Sequence, residues 1–318
     1  MDRGGRAPTD RRPSALKRFL RILFGAAVAI VLLLAIAVAT LLGPGNAGRL
    51  FFGIGRSYDD TPPILPALKR PAVLVFSKTN GFRDDAQIKA ATAALTQIAR
   101  SRGWSVYATE NAAIFNARQL QRFDVAVWNS VSGDVLTTAQ RAAFRAWLEH
   151  GGGFVGLHGA GGDPSYAWRW YVDDLIGAQF IGHTMGPQFQ QASLQVEDAA
   201  HPATRRLHSP WVRTDEWYSF ASSPRAKGYH VLVSIDETSY TPLMKLFPFT
   251  KGKDIRMGAV HPLVWWHCVG NGRAFYSALG HTASSYSEPA HLRMIAGALA
   301  WGAGLEGSRC ANGRESGR

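Results

Sequence analysis

A chain of 318 residues, 46% hydrophobic and 18% charged, carries enough apolar material for one large α/β domain with appendages, or two small domains, and is not a largely disordered chain. Its net charge of +12 would suit a nucleic-acid partner, but the charge lies at the ends. Arg3, Arg6, Arg11, Arg12, Lys17, Arg18 and Arg21 face only Asp2 and Asp10 in residues 1–21, Arg309, Arg314 and Arg318 follow in the C-terminal tail, and no basic run interleaved with aromatics lies between, so nucleic acid is excluded as a partner.

The stretch Ile22 to Leu42 has no charged residue. At ~1.5 Å per residue a helix of this length crosses the ~30 Å core of a bilayer. Its basic N-terminal flank keeps residues 1–21 cytoplasmic by the positive-inside rule, which sends the rest to the periplasmic or extracellular side. The alternative is a signal peptide cleaved after Ala37-Val38-Ala39, giving a secreted protein. Residues 43–70, opening on Gly43-Pro44-Gly45-Asn46 and later holding Pro62, Pro63 and Pro66, are expected to be a linker.

From Pro71 short apolar runs alternate with helical periods. Strands are expected at Ala72 to Phe76, Trp104 to Thr109, Val125 to Asn129 and Phe154 to Leu157, with helices at Asp85 to Arg102 and Thr137 to His150. This alternation predicts a mostly parallel sheet flanked by helices. The second half is richer in β-structure, with strands expected at Ser193 to Val196, Tyr229 to Ile235, Val264 to His267 and Arg273 to Leu279, before a closing helix from Pro289 to Trp301. The domain is expected to cover residues 71–304, with a tail at 305–318. Cys268 and Cys310 fit no zinc motif; they either pair in an oxidising compartment or remain two thiols.

Ligands of open parallel sheets bind beyond the carboxyl ends of the strands. There the sequence places Lys78-Thr-Asn-Gly-Phe-Arg83, suited to a hydroxylated or anionic ligand, and the small-residue turn around His158. Histidine in such a turn serves as base, acid or metal ligand, and the absence of Ser or Cys from it argues against a nucleophile triad. His183 and His281 also follow glycines, and His281 directly follows the last strand. Asp215 and Glu216 are adjacent carboxylates, which a strand points to opposite faces. Imidazoles from His158, His183 and His281 make a divalent metal such as zinc a candidate cofactor, although the spacing follows no metal motif.

Seven ordered segments then carry a resemblance: Val73 to Arg83, Ala108 to Asn111, Ser132 to Val135, Gly151 to His158, His201 to Thr204, Thr214 to Tyr218 and Arg273 to His281. Together they resemble the trehalose-utilisation (ThuA-like) domain family. The resemblance implies a flavodoxin-like fold similar to class I glutamine amidotransferases without their catalytic cysteine, a role in carbohydrate metabolism, and action on oxidised (3-keto) glycosides. It also implies a pocket made of His158, His183, Asp215, Glu216, Tyr218 and His281. Three departures stand out: Asp84 where the family usually has histidine, Val260 where an acidic residue commonly precedes the His-Pro pair, and an insertion at Thr241 to Ile255 with Lys245, Lys251 and Lys253. The expected function is hydrolysis or elimination on a sugar or glycoside, with His158, Glu216 and His281 catalytic and Lys78, Arg83, Asp215, Tyr218 and His183 binding substrate. The alternative is a non-catalytic carbohydrate-binding module.

Overall fold

A computed structural model describes residues 15–164, 166–246, 249–312 and 314–316. The basic residues Arg3 to Arg12 and Arg318 lie outside them. The chain divides into two compact units at Gly55.

The first unit holds helices α1 (Ala15–Leu42) and α2 (Pro44–Phe52). Within α1, Ala15–Thr40 is long and apolar enough to cross a membrane. The helix begins before Ile22 because Lys17, Arg18 and Arg21 are good helix formers. Gly43 stops it with φ 80°, but Pro44 takes the first position of α2, where its missing N–H costs nothing, so part of the expected linker is helical.

The second unit is built on a nine-stranded mixed sheet. In chain order its elements are β1 (Ala72–Phe76), α3 (Asp85–Ser101), β2 (Ser105–Thr109), the one-turn α4 (Ala117–Leu120), β3 (Val125–Asn129), α5 (Thr138–Glu149), β4 (Gly153–Leu157), β5 (Phe180–His183), β6 (Phe189–Val196), β7 (Trp211–Glu216), β8 (Tyr218–Phe220), β9 (His230–Ile235), β10 (Leu243–Met244), β11 (Lys253–Asp254), β12 (His261–Val269), β13 (Gly272–Ser277), α6 (Pro289–Gly302), β14 (Arg309–Ala311) and β15 (Arg314–Ser316). The sheet order is β2-β1-β3-β4-β13-β12-β9-β6-β7. Its first five strands pair in parallel and the rest antiparallel. The parallel part has the doubly wound order of flavodoxin-like sheets, with β13 as the fifth strand. Strands β5 and β8 form a separate antiparallel pair, and the insertion folds into the β10–β11 ribbon.

Local chemistry explains the helix starts. Asp84 caps α3 by accepting the N–H of Gln87 at 3.0 Å, and Thr137 with Gln140 forms a capping box on α5. Strands β1, β3 and β4 are buried along their whole length, as a parallel sheet covered on both faces requires. Against them Trp128 stacks between Phe144 and Tyr171, ring centroids 5.3 and 4.8 Å away. Helix α6 lies flat on β4: a Cβ on Gly153 would sit 2.1 Å from the carbonyl oxygen of Gly302, so only glycine allows that approach.

The segment from Ser57 to Pro66, irregular in backbone, is fastened to the sheet. Asp59 takes the Lys78 ammonium at 2.5 Å and the N–H of Ala112 at 2.8 Å, while Gln140 and Gln119 donate to the carbonyls of Asp59 and Pro63. At the other end a Cys268–Cys310 disulfide, Cα atoms 5.5 Å apart, holds the β14–β15 hairpin to β12.

His201 sits among Trp266, Phe275 and Trp301, and its Nδ1 accepts the N–H of Ala203 at 3.1 Å. Burial lowers its pKa from 6.5 to about 4, so the ring is neutral in the fold. The unfolded chain binds this proton below pH 6.5. The stability His201 contributes is therefore complete above pH 6.5 and is lost as pH falls toward 4, by roughly 3 kcal/mol. In His201→Asn, whose side-chain oxygen can still accept the Ala203 N–H, urea midpoints measured from pH 7 to 4.5 are expected to fall less steeply than those of the wild type.

Candidate functional site

Strand β4 ends in a tight turn at His158, whose φ of 45° is left-handed. For a residue with a Cβ this costs on the order of 1–3 kcal/mol, and the surroundings must enforce it. Tyr276 of β13 donates its hydroxyl to the His158 carbonyl at 2.8 Å, and the His158 Nδ1–H donates to the carbonyl of Ala278 at 2.9 Å. That second bond sets the tautomer: in the neutral ring Nε2 carries a bare lone pair aimed out of the turn. Gly162 keeps the space clear, since a Cβ there would lie 2.7 Å from the Tyr218 hydroxyl.

Three groups converge on His158 Nε2. His281 Nδ1 is 2.8 Å away, the Tyr218 hydroxyl 3.0 Å and Glu216 Oε2 3.5 Å. His281 Nδ1 and Glu216 Oε2 are themselves 3.0 Å apart. The other carboxylate oxygen of Glu216 faces His183 Nδ1 at 3.0 Å and accepts from the Gln188 amide. His281 Nε2 looks outward to Asp84 Oδ2 at 3.6 Å, and the half-exposed ring of Phe189 lies 5.2 Å from the imidazole. The set thus joins the ends of β4, β5, β7 and β13 with the start of α3.

Burial alone would raise the Glu216 pKa. The close contacts with His158 and His281 and the charge of His183 win and hold the carboxyl well below the usual carboxylate range. For His281 burial pulls the pKa down, but the bond to Glu216, that carboxylate's charge and the charges of Asp84 and Asp215 push it above its ordinary value. Burial drives the Tyr218 phenol far up, so it stays protonated and able to donate.

His158, His281, Glu216, His183 and Tyr218 are brought together as the sequence grouped them. Within the group His183 stands behind Glu216 rather than beside the other two imidazoles. Asp215 is directed elsewhere: it is fully buried, and it accepts the N–H of Gly280 at 2.7 Å, of His281 at 3.1 Å and of Glu216 at 3.0 Å while pairing with Arg213 at 2.9 Å. Its oxygens are used in shaping the 280–281 turn, which leaves no free acceptor for a substrate. Lys78 is buried against Asp59, and Arg83 pairs with Glu110 at 2.8 Å and Asp85 at 2.7 Å. Arg83 lines a groove of about 980 Å³ between α3 and the end of β2, which shares no residue with the histidine cluster. Sequence reasoning passed over Gln188 and Phe189, since nothing in Pro187-Gln-Phe-Gln distinguishes a site from an ordinary strand start.

The model of the trehalose-utilisation family, ThuA, matches residues 72–302. The chain belongs to the ThuA family. Its ThuA domain is similar to a ThuA-like protein of Bacteroides uniformis at 25% identity and a TM-score of 0.61, over 76% of this chain and 94% of that one. A ThuA-like protein of Parabacteroides merdae shares the fold at 16% identity and a TM-score of 0.56, over 79% and 98%. No curated protein matches the sequence significantly.

Two departures from the ThuA pattern acquire a place. Asp84 caps α3 and turns its second oxygen toward His281. His261, preceded by Val260, has Glu237 2.9 Å from its Nδ1, while its Nε2 bonds the carbonyl of Tyr218 at 2.7 Å.

Arg213 also donates to Ser285 and His291, each at 3.0 Å, and is 97% buried at its side chain. Without Asp215 the arginine keeps Glu288, 3.4 Å away, so the cost is about 3 kcal/mol, the low end for a broken buried pair. Asp215→Asn is therefore expected to lower the thermal midpoint of the ThuA domain by roughly 6–12 °C, read by circular dichroism. A shift within error would show that the Asp215 clamp does not hold the site.

Proposed function

We propose that this protein is an exported, membrane-anchored enzyme that acts on a sugar or glycoside, the histidine–carboxylate cluster being its reacting centre. One observation carries the reading: three proton-transfer groups, the buried His158 and Glu216 and the part-buried His281, meet at the carboxyl ends of β4 and β13, one of them on a left-handed turn the surroundings enforce. Membership of a trehalose-utilisation family supports a carbohydrate substrate. The apolar helix within Ala15–Leu42 supports anchorage, and the basic residues before it support a cytoplasmic N-terminus. A disulfide such as Cys268–Cys310 persists in oxidising compartments and supports export of the domain.

The chemistry that fits is proton transfer beside a carbonyl, as in a 3-keto glycoside. His158 Nε2 takes the proton from the carbon between the ketone and the anomeric centre, and the electron pair passes to the ketone oxygen. Tyr218, kept protonated by burial, donates to that oxygen. Collapse of the enolate expels the glycosidic oxygen, which takes a proton from His281, and the 2.8 Å contact between the rings returns the abstracted proton to His281. The products are an enone and a free alcohol; water added to the enone completes hydrolysis. Phe189 offers an apolar face beside His281 on which a sugar ring can rest.

In His158→Asn, which tolerates the left-handed turn, kcat on a keto-glycoside should fall by ~10²–10⁴ with a thermal midpoint near wild type. Undiminished product formation by that variant would sink the assignment. The second reading, a carbohydrate-binding module, is favoured by Asp84 in place of a loop histidine; it predicts calorimetric binding of the glycoside with no product from the wild type.

A further inference from the structure

We infer that His158 Nε2, His281 Nδ1 and Glu216 Oε2 are three ligands of a single divalent transition-metal ion of the zinc type. The three atoms form a triangle with edges of 2.8, 3.0 and 3.5 Å. A tetrahedral ion with bonds of ~2.0–2.1 Å separates its ligands by ~3.3 Å, so each edge lies within about half an ångström of what such an ion imposes.

The tautomer points the same way. The His158 Nδ1–H is given to the Ala278 carbonyl, so Nε2 presents a lone pair to the triangle, served there by the Tyr218 hydroxyl at 3.0 Å. A cation at the centre would be met by all three ligand atoms at once.

The supporting groups are those a metal site needs. The His158 Nδ1–H is held by the Ala278 carbonyl, which directs Nε2 inward. With His281 ligating through Nδ1, its Nε2–H points to Asp84. His183 and Gln188 occupy the far oxygen of Glu216 and leave Oε2 as a single-oxygen ligand. Three protein ligands leave an open position, the arrangement of catalytic rather than structural zinc. This deepens the catalytic reading and rests on it for its consequence: His158, His281 and Glu216 would hold the ion, which would supply a Lewis acid at the site, and His158, its Nε2 then engaged as a ligand, would position the ion rather than act as the base.

The test is uptake by the untagged full-length chain in detergent, stripped with a chelator and titrated with Zn²⁺ and separately with Co²⁺. One equivalent is expected, with the visible bands of a low-coordinate cobalt site bound by nitrogen and oxygen. Glu216→Gln and His281→Gln should weaken uptake by at least the ~10–100-fold that outer-shell losses cost, and Asp84→Asn by about 10-fold, each checked for folding by circular dichroism. Uptake far below one equivalent in the wild type, thiolate–cobalt bands, or binding unchanged in both ligand variants would overturn the inference. One equivalent bound without product from any keto-glycoside would leave the ion and remove the catalytic reading; turnover by metal-free protein would do the reverse.

Discussion

The buried Asp215 carboxylate is the interaction on which the candidate site depends. It stands at the end of β7, the far edge of the sheet from β2, yet it receives the backbone N–H groups of Gly280 and His281 just beyond β13. These bonds tie the end of β7 to the turn after β13, and with them Glu216, the next residue, stands beside His158 and His281. Arg213 supplies the charge that makes a carboxylate tolerable in the interior, and His291, kept neutral by burial and by that arginine, accepts from it. Asp215 and Glu216 are thus neighbours in sequence with divided tasks, one clamping the turn and one facing the candidate site, because alternate residues of a strand point to opposite sides.

A second layer fixes the geometry of each imidazole. His158 is held through its carbonyl by Tyr276 and through Nδ1 by Ala278, so β13 orients a residue of β4. Tyr218 is held through its carbonyl by His261 of β12, and His261 in turn by Glu237. The site is therefore supported from the strands that lie side by side in the middle of the sheet, and its precision follows from their fixed register. Just beyond the end of β1, Lys78 pairs with Asp59 on the segment that precedes the first strand. That contact turns a lysine that reads as a ligand binder into a fastening.

Much of the architecture was legible in the sequence. The runs at Ala72 to Phe76 and Val125 to Asn129 match β1 and β3 because a strand buried on both faces is apolar throughout. The Thr137 cap and the glycines after His150 bound α5, as their hydrogen-bonding and conformational preferences require. The histidine at the end of β4 was visible as a site because glycines surround it. Less legible were β5, β8 and the early part of β6, whose polar and mixed residues carry no clean period, and the short helix after Gly43, where proline both ends one helix and begins another.

Composition, periodicity and ordered motifs by themselves determined the fold class, the apolar N-terminal segment and the group of residues from which the site is drawn. These properties are local, or repeat along the chain, so one-dimensional order suffices to show them. Only the tertiary structure decided which members of that group meet. Lys78 and Arg83 are neutralised by Asp59, Glu110 and Asp85, and Asp215 is consumed by backbone N–H groups. Whether a charged side chain is available for chemistry depends on its partner, and here most partners lie tens of residues away, at distances set by how the sheet coils rather than by any pattern along the chain.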